Sequence, residues 1–233
     1  MLKINCKKII IKKENIMKKN YLVMVAICLT SLSLTAQPLI TYNGNAPQIG
    51  DIYHFSGDNG SYDPGPAGAN QNWDFSNIPS SFSSTETAVT PESTPFAGDF
   101  PEASIAFHYT GDNEAYSYAE VSTSAMLNDG VGLDPGGDNE YIIHYTDAVM
   151  LMQYPFSYSD TYTDSYFSAY TFEGMLTHEW GNIIVTADAW GSVSTPVDTY
   201  NNTLRVKSER IFTDSVWMSG IFLYANSYTQ TSY

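Results

Sequence analysis

The chain has 233 residues, of which 43% are hydrophobic and 14% aromatic. This composition supports a buried core and excludes an intrinsically disordered chain or a collagen-like repeat. The formal net charge is −15, from 25 acidic and 10 basic residues. Because an acidic chain gains nothing from counterion release on a phosphate backbone, nucleic acid is not an expected partner.

The first 36 residues have the pattern of a cleavable signal peptide. Seven lysines precede an apolar stretch at residues 21–34. This stretch is shorter than the roughly 20 residues that a membrane span needs. Small residues, Thr35 and Ala36, precede Gln37 and predict cleavage between Ala36 and Gln37. Met17, followed by two lysines, is an alternative start. The sequence thus predicts an exported protein with no membrane span in its mature chain.

Removal of this segment changes the character of the chain. Residues 37–233 carry 24 acidic and three basic residues, a net charge of −21, and both cysteines lie before residue 37. The mature chain therefore has neither a disulfide nor a cysteine nucleophile, and its fold must depend on the core and hydrogen bonds, with bound cations as one further candidate.

Hydrophobic periodicity in the mature chain has a period of two, which is typical of strands. It predicts strands at residues 50–55, 104–109, 116–121, 140–145, 149–154, 175–180, 183–190, 203–207, 209–216 and 221–231. Turn signals separate them, for example Gly181-Asn182, and the Ser/Thr-rich residues 76–94 are predicted to be a long loop or an edge excursion. We therefore expect an all-β fold, an antiparallel β-sandwich or a jelly-roll-like single domain spanning residues 37–233.

A segment rich in tyrosine follows the predicted strand at 149–154. Tyr158, Tyr162 and Tyr166 alternate with hydroxyl and acidic residues, so an extended chain would place them on one face. Two interpretations remain open. The tyrosines cover the core through cross-strand packing, or they form an exposed platform that stacks sugar rings or another protein.

Two acidic loops are candidates for calcium, because hard cations prefer several carboxylate and carbonyl oxygens from a tight loop. The first contains Asp134, Asp138 and Glu140, and the second contains Asp58 and Asp63. Neither matches an EF-hand. The alternative is that these residues only form turns through Asx hydrogen bonds.

No catalytic residue is predicted. The spacing of the four histidines does not match that of metal ligands, and the Gly-x-Ser-x-Gly elbow of serine hydrolases is absent. A glycosidase needs two carboxyl groups at a defined separation, and the sequence does not give the distances among its 24 carboxylates. The three bases, Arg205, Lys207 and Arg210, lie within six residues and predict either a solvent-side charge ladder or a small site for acidic sugars. The tryptophans Trp73, Trp180 and Trp190 are expected in the core, with sugar stacking as the alternative.

Five segments carry a family resemblance: GDIYHF at 50–55, PGPAGANQNWDFS at 64–76, YPF at 154–156, ADAWGS at 187–192 and YNNTLRVK at 200–207. Together they resemble a β-rich, uncharacterised module found in secreted proteins of Bacteroidota that use type IX secretion. The resemblance implies delivery to the cell surface or the extracellular space and says little about activity.

In such proteins the module is usually followed by a sorting domain, which is absent from this sequence. The sequence stops at Tyr233 within a β-prone run, and native termini more often end in a polar tail. We therefore expect the domain to be truncated at its C-terminus. If the chain ends at Tyr233, a periplasmic location is expected instead.

The function predicted from these features is a non-catalytic binding or adhesion role at the cell surface, with a glycan or a surface protein as partner and calcium as the one candidate cofactor. Two alternatives stay open. One is a carbohydrate-active enzyme or its carbohydrate-binding module, and the other is a structural spacer domain.

Overall fold

A computed structural model of the chain describes residues 37–110, 114–134 and 141–233, with Asp134 described by its backbone alone. The predicted signal peptide and its cleavage residue Ala36 lie outside this range. The strands are β1 (Leu39–Ile40), β2 (Ile52–Gly57), β3 (Gly68–Asp74), β4 (Phe82–Val89), β5 (Ile105–Thr110), β6 (Glu114–Val121), β7 (Ala125–Asp134), β8 (Tyr141–Gln153), β9 (Phe156–Ser157), β10 (Thr161–Phe172), β11 (Met175–Ser194), β12 (Thr199–Met218) and β13 (Ile221–Ser232).

Helical structure in the described residues is limited to short turns. One α-helical turn spans Tyr42–Asn45, and two 3₁₀ turns span Pro91–Ser93 and Ala97–Asp99. None of these elements has the length and hydrophobicity that a membrane-crossing helix requires.

Most strands pair with their neighbours in sequence. The large sheet runs β13-β12-β11-β10-β8-β7-β6-β5-β4-β2, and every pairing along this path is antiparallel. Strand β3 leaves this order and pairs in parallel with the C-terminal half of β11, while β1 and β9 form a separate two-stranded sheet. Residues 37–233 form one compact unit. The predicted all-β, antiparallel, sandwich-like fold is confirmed.

The structure corrects two details of the strand prediction. The Ser/Thr-rich residues 76–94 contain β4, which lies between β2 and β5. Gly181 does not make a turn but lies within β11, where an added Cβ would stand 2.4 Å from the Ile211 carbonyl oxygen. Glycine is needed there for close approach of the neighbouring backbone, a role that looks like a turn signal in the sequence.

The largest core cluster forms where β8, β10 and β11 meet. Its buried members are Val149, Phe156, Tyr162, Tyr166, Ile183, Val185 and Ala187. Strand β11 alternates buried and less buried residues through this region, which is the expected result of period two in a sheet covered on one face. Burial of each large side chain contributes about 1.5–3 kcal/mol.

A second cluster lies beneath the 3₁₀ turns and consists of Phe96, Phe100, Ala106, Tyr116 and Tyr118. The Phe100 ring stacks on Tyr118, with ring centroids 4.2 Å apart, and the hydroxyl of Tyr118 is 2.6 Å from that of Thr94. The residues between β4 and β5 are thereby fixed to the sheet, although no sequence pattern predicted their contact.

One ionisable group is poorly accommodated in this fold. The pairing of β7 with β8 shifts register between Asn128 and Gly130, so Asp129 has no cross-strand partner. Its Oδ2 atom is buried without a hydrogen bond. Burial, and then the nearby charge of Glu120, raise the pKa of the Asp129 carboxyl to about 6. The charged form is therefore destabilised in the folded state.

We predict that Asp129→Asn increases the free energy of unfolding by about 1 kcal/mol at pH 7.5, because the half-buried site is partly screened by water. A raised folded-state pKa penalises the fold fully above pH 6. The penalty shrinks as the pH falls from about 6 toward 3.8, the ordinary value. Denaturant titrations at pH 7.5 and pH 4 should therefore show a smaller gain at pH 4.

Glu173→Gln, in the exposed turn between β10 and β11, is the matched control and should leave stability unchanged at both pH values. A gain for Asp129→Asn that does not depend on pH would contradict the assignment of the penalty to the ionised carboxylate.

Candidate functional site

The acidic loop at Asp58 and Asp63 is organised by its own hydrogen bonds. Oδ2 of Asp58 accepts from the Gly60 amide at 2.8 Å and from the Tyr62 hydroxyl at 2.7 Å, and Oδ1 of Asp63 accepts from the Gly65 amide at 2.9 Å. The Tyr62 hydrogen bond is the main cause of a lowered pKa at Asp58. These are the Asx turns that the alternative interpretation predicted.

The second candidate calcium loop is not described beyond the backbone of Asp134, and Asp138 and Glu140 lie outside the described residues. Among the residues that are described, no three His, Cys, Asp or Glu side chains come together as a metal-binding group would require.

The tyrosine segment belongs to the core. Tyr162 and Tyr166 are 9% and 2% exposed, and Tyr158 is half-buried. Burial raises the pKa of both Tyr162 and Tyr166. Tyr162 and Tyr166 therefore do not form an exposed platform, because their rings pack among Phe156, Val185 and their neighbours.

Three histidines pack on aromatic rings. His108 stacks on Tyr116 with ring centroids 4.6 Å apart, His144 stacks on Phe100 at 5.5 Å, and His178 lies 5.8 Å from Phe167. These three histidines therefore take part in aromatic packing.

Arg210 is held in a polar cluster on the inner face of β10, β11 and β12. Its Nε donates to the Tyr166 hydroxyl at 2.6 Å and its Nη2 pairs with Glu179. Asp214 lies directly opposite Glu179 in the pairing of β11 with β12. Burial is the main cause of the raised pKa of Glu179, which Asp214 raises further and Arg210 opposes. Arg210, one of the three bases, therefore forms an ion pair with Glu179 within the fold.

Arg205 is also internal, with its side chain 10% exposed. Its Nε and Nη2 donate to the two carboxylate oxygens of Asp188, each at 2.8 Å. Its Nη1 donates to the carbonyl oxygens of Pro64 at 2.7 Å and Gly65 at 3.0 Å. The bidentate ion pair joins β11 to β12, and the Nη1 hydrogen bonds join both strands to the segment before β3. The positive charge of Arg205 is therefore neutralised within the fold. The predicted solvent-side charge ladder is wrong for Arg205.

A β-bulge in β11 positions the Asp188 side chain against Arg205. The pairing of β11 with β12 shifts register between Ala187 and Ala189, and Asp188 is the extra residue. Two glycines permit the close approach of β3. An added Cβ at Gly191 would lie 1.9 Å from the Gln71 carbonyl oxygen, and one at Gly65, where φ is +75°, would lie 2.7 Å from Trp73 Cδ1. A larger residue at Gly191 would separate β3 from β11, and one at Gly65 would collide with the Trp73 ring.

These contacts build a groove of about 430 Å³ beside Arg205. The guanidinium carbon is 5.4 Å from the centroid of the Trp73 ring and 5.0 Å from that of Tyr233. Trp73 is 5% exposed and Tyr233 is 55% exposed, so one ring forms an inner wall and the other an open rim. The lining is mainly apolar: Pro64, Trp73, Phe75, Val193, Thr203, Leu204, Arg205, Val206 and Tyr233. We call this site the Arg205 groove.

Sequence reasoning found the parts of this groove but not their association. Arg205 and Trp73 were both singled out, yet 132 positions separate them, and only the parallel pairing of β3 with β11 brings them together. The glycine and proline pattern before Trp73 was the available signal. It indicated a turn and gave no indication of which strand the turn approaches.

The fold and the site define a class of protein: an all-β module with an aromatic groove where the parallel strand β3 meets β11. No protein-family model, curated protein or solved structure matches the chain.

We predict that Arg205→Met lowers the free energy of unfolding by about 3 kcal/mol, because it leaves the Asp188 carboxylate buried without its partner. The double variant Arg205→Met with Asp188→Asn should lose less than the sum of the two single variants. Urea titration of all three variants measures this coupling.

Lys207→Met is the matched control, because Lys207 pairs with Glu209 at 3.0 Å at a more exposed position on the same strand. Its loss should be much smaller than that of Arg205→Met, because water screens this pair. Equal losses for Arg205→Met and Lys207→Met would show that the Arg205 pair adds nothing to stability.

Proposed function

We propose that this chain is an exported β-sheet module that binds a ligand in the Arg205 groove and performs no reaction there. The observation that carries the proposal is the groove itself, a concave and mostly apolar site with an aromatic rim and a fixed polar group. Such sites are the usual places of ligand binding in proteins.

The contacts of Arg205 favour binding over chemistry. Four of its five N–H donors are already used by Asp188 and two carbonyl oxygens, so the guanidinium is rigid. A rigid wall reduces the entropy lost on binding.

The chemistry of the lining favours a sugar ring, in a glycan or on a glycosylated surface protein. Tyr233 offers an exposed flat ring with a hydroxyl, and Thr203 offers a second hydroxyl at the wall. Aromatic faces stack on the apolar faces of sugars while hydroxyl groups accept and donate hydrogen bonds. Because the mature chain has a net charge of −21, a neutral sugar fits better than an acidic one.

Export is supported by the sequence of residues 1–36, with its lysines and its apolar stretch. The mature chain has no cysteine and depends on internal packing and on two partly buried arginine–carboxylate pairs. This is consistent with a protein that folds outside the reducing cytoplasm without disulfides.

A carbohydrate-active enzyme is the second candidate, and Glu179 with Asp214 is the pair of carboxylates that this candidate would use. They lie directly opposite each other on β11 and β12, and the Arg210 guanidinium occupies the space beside Glu179. Glycosidases instead hold their two carboxyl groups about 5 to 9.5 Å apart with substrate between them. The cluster therefore favours a structural role over hydrolysis.

We predict that two changes to the Arg205 groove weaken ligand binding. Val193→Trp places a large ring among the lining residues, and Tyr233→Ala removes the exposed rim. On a glycan array that includes neutral polysaccharides and glycosylated surface proteins, the unmodified chain should bind without releasing reducing ends. Both variants should lose at least about tenfold in affinity, or about 1.4 kcal/mol.

Val197→Trp is the matched control, because Val197 is 84% exposed in the turn between β11 and β12 and lies outside the groove. It should bind as the unmodified chain does. Unchanged binding by Tyr233→Ala and Val193→Trp would exclude the groove, and release of reducing ends would favour the enzyme. Absence of any ligand on the array would favour the structural spacer.

A further inference from the structure

A second groove, of about 350 Å³, lies on the part of the large sheet that contains β2, β4, β5 and β6. Tyr53 of β2 stands directly opposite Glu86 of β4. Phe107 of β5 stands directly opposite Ala88 of β4 and Ser117 of β6. Because Ala88 is two positions after Glu86, both rows of side chains lie on one face of the sheet. We call this site the Glu86 groove.

The walls of the Glu86 groove are mostly apolar and aromatic. Phe107 is buried, whereas Phe55 and Leu151 are exposed at the rim. Sites for small molecules have volumes of about 300–1,000 Å³ and combine apolar walls with a few polar groups. The groove therefore has the size and the lining of a site for a small ligand.

Glu86 is the charged residue of this lining, and its carboxylate lacks a partner. In the part of the chain that the structure describes, neither a hydrogen bond nor an ion pair reaches it. The Tyr53 hydroxyl on the neighbouring strand donates instead to Asp51 Oδ2, at 3.2 Å. Burial raises the pKa of the Glu86 carboxyl, with no positive group to oppose the shift. The charged form would be stabilised by a cation in the groove.

The mature chain does not supply this cation itself. Residues 37–233 contain three lysines and arginines. Each of them pairs with another carboxylate: Arg205 with Asp188, Lys207 with Glu209 and Arg210 with Glu179. His54 and His108 are next in sequence to Tyr53 and Phe107, so they lie on the opposite face of the sheet. A positive partner for Glu86 therefore comes from outside these residues.

Ser117 indicates which kind of cation fits. Its hydroxyl donates to Asn128 Oδ1 at 3.5 Å, which leaves its lone pairs as acceptors. The groove thus offers a carboxylate and a hydroxyl oxygen to a ligand that donates hydrogen bonds. A primary ammonium has three N–H donors, and aromatic rings such as those of Tyr53 and Phe107 attract it further.

The apolar rim suits the rest of such a ligand, because an alkyl chain packs on apolar surface while its charged head remains at a polar group. We propose that the Glu86 groove binds a small primary alkylammonium, with the ammonium at Glu86 and the alkyl chain along Phe55 and Leu151.

Charge favours this ligand over anionic and neutral ones. The mature chain has a net charge of −21, which attracts cations and repels anions at long range. A neutral ligand of the same shape would cover the Glu86 carboxylate without pairing it, and a buried, unpaired charge is costly.

Isothermal titration calorimetry of the exported chain tests the proposal, at constant ionic strength and about pH 7.5, where n-pentylammonium is charged. The probes are n-pentylammonium chloride and n-pentanol, which has the same chain length and no charge. The ammonium should bind at least about tenfold more tightly than the alcohol. Glu86→Gln keeps the shape of the side chain and removes its charge. It should weaken ammonium binding by about tenfold and leave alcohol binding unchanged.

Two further variants locate the site. Leu151→Trp fills the rim and should weaken the binding of both probes. Glu92→Gln is the matched control, because it removes the same charge from an exposed position outside the groove. It should bind n-pentylammonium as the unmodified chain does.

Absence of ammonium binding, or equal affinity for the ammonium and the alcohol, would overturn the proposal. Equal losses in Glu86→Gln and Glu92→Gln would also overturn it, since they would assign the attraction to the overall charge of the chain. Unchanged binding by Leu151→Trp would place the site elsewhere and overturn it as well.

This inference does not depend on the Arg205 groove. A chain that binds a sugar and no ammonium would overturn the inference alone, and a chain that binds the ammonium and no sugar would leave it intact.

Discussion

The ion pair between Arg205 and Asp188 is the interaction on which the rest of the site depends. It is bidentate, it is mostly removed from water, and the same guanidinium donates to two carbonyl oxygens of the segment before β3. A lysine at this position could not make these four contacts, because its ammonium is a point charge without a planar fork. The single arginine thus joins three parts of the chain: β11, β12 and the entry to β3.

Basic residues are scarce in the mature chain, and most of them form ion pairs inside the fold. Only three bases accompany 24 acids in residues 37–233, and two of the three are placed inside the fold against carboxylates. Burying an arginine costs desolvation energy, which the pairing and its added hydrogen bonds offset. Most of the acidic residues remain without a basic partner, so the surface keeps a negative potential that disfavours acidic ligands and reduces non-specific association.

The sequence predicts the class of this fold well because period-two alternation is a local property. Strands such as β5, β6 and β13 follow directly from it. It predicts β3, β4 and β7 poorly, because their residues are rich in Gly, Asn, Ser and Thr, which also form turns. Their strand conformation comes from hydrogen bonding to other strands: β4 and β7 pair with strands close to them in sequence, and β3 pairs with the distant β11. The sequence does not predict the Arg205 groove for a related reason. Trp73 comes close to Arg205 only because β3 pairs with β11, which is distant from it in sequence.

The tyrosine segment shows a related limit. Alternation correctly indicated that Tyr162 and Tyr166 share a face, and sequence alone did not show whether water or the core covers it. Tyr224 and Tyr228 on β13, where alternation was equally clear, are about half exposed instead. Exposure is set by the order of strands in the sheet, which a single sequence does not specify.

Arg205 holds β3 and the preceding segment against the sheet and so keeps the groove formed before any ligand binds. Amide hydrogen exchange of the unmodified chain and of Arg205→Met tests it most directly. In the variant, residues 64–75 should lose most of their protection while β5 and β6 keep theirs. Equal protection of residues 64–75 in both proteins would contradict the claim.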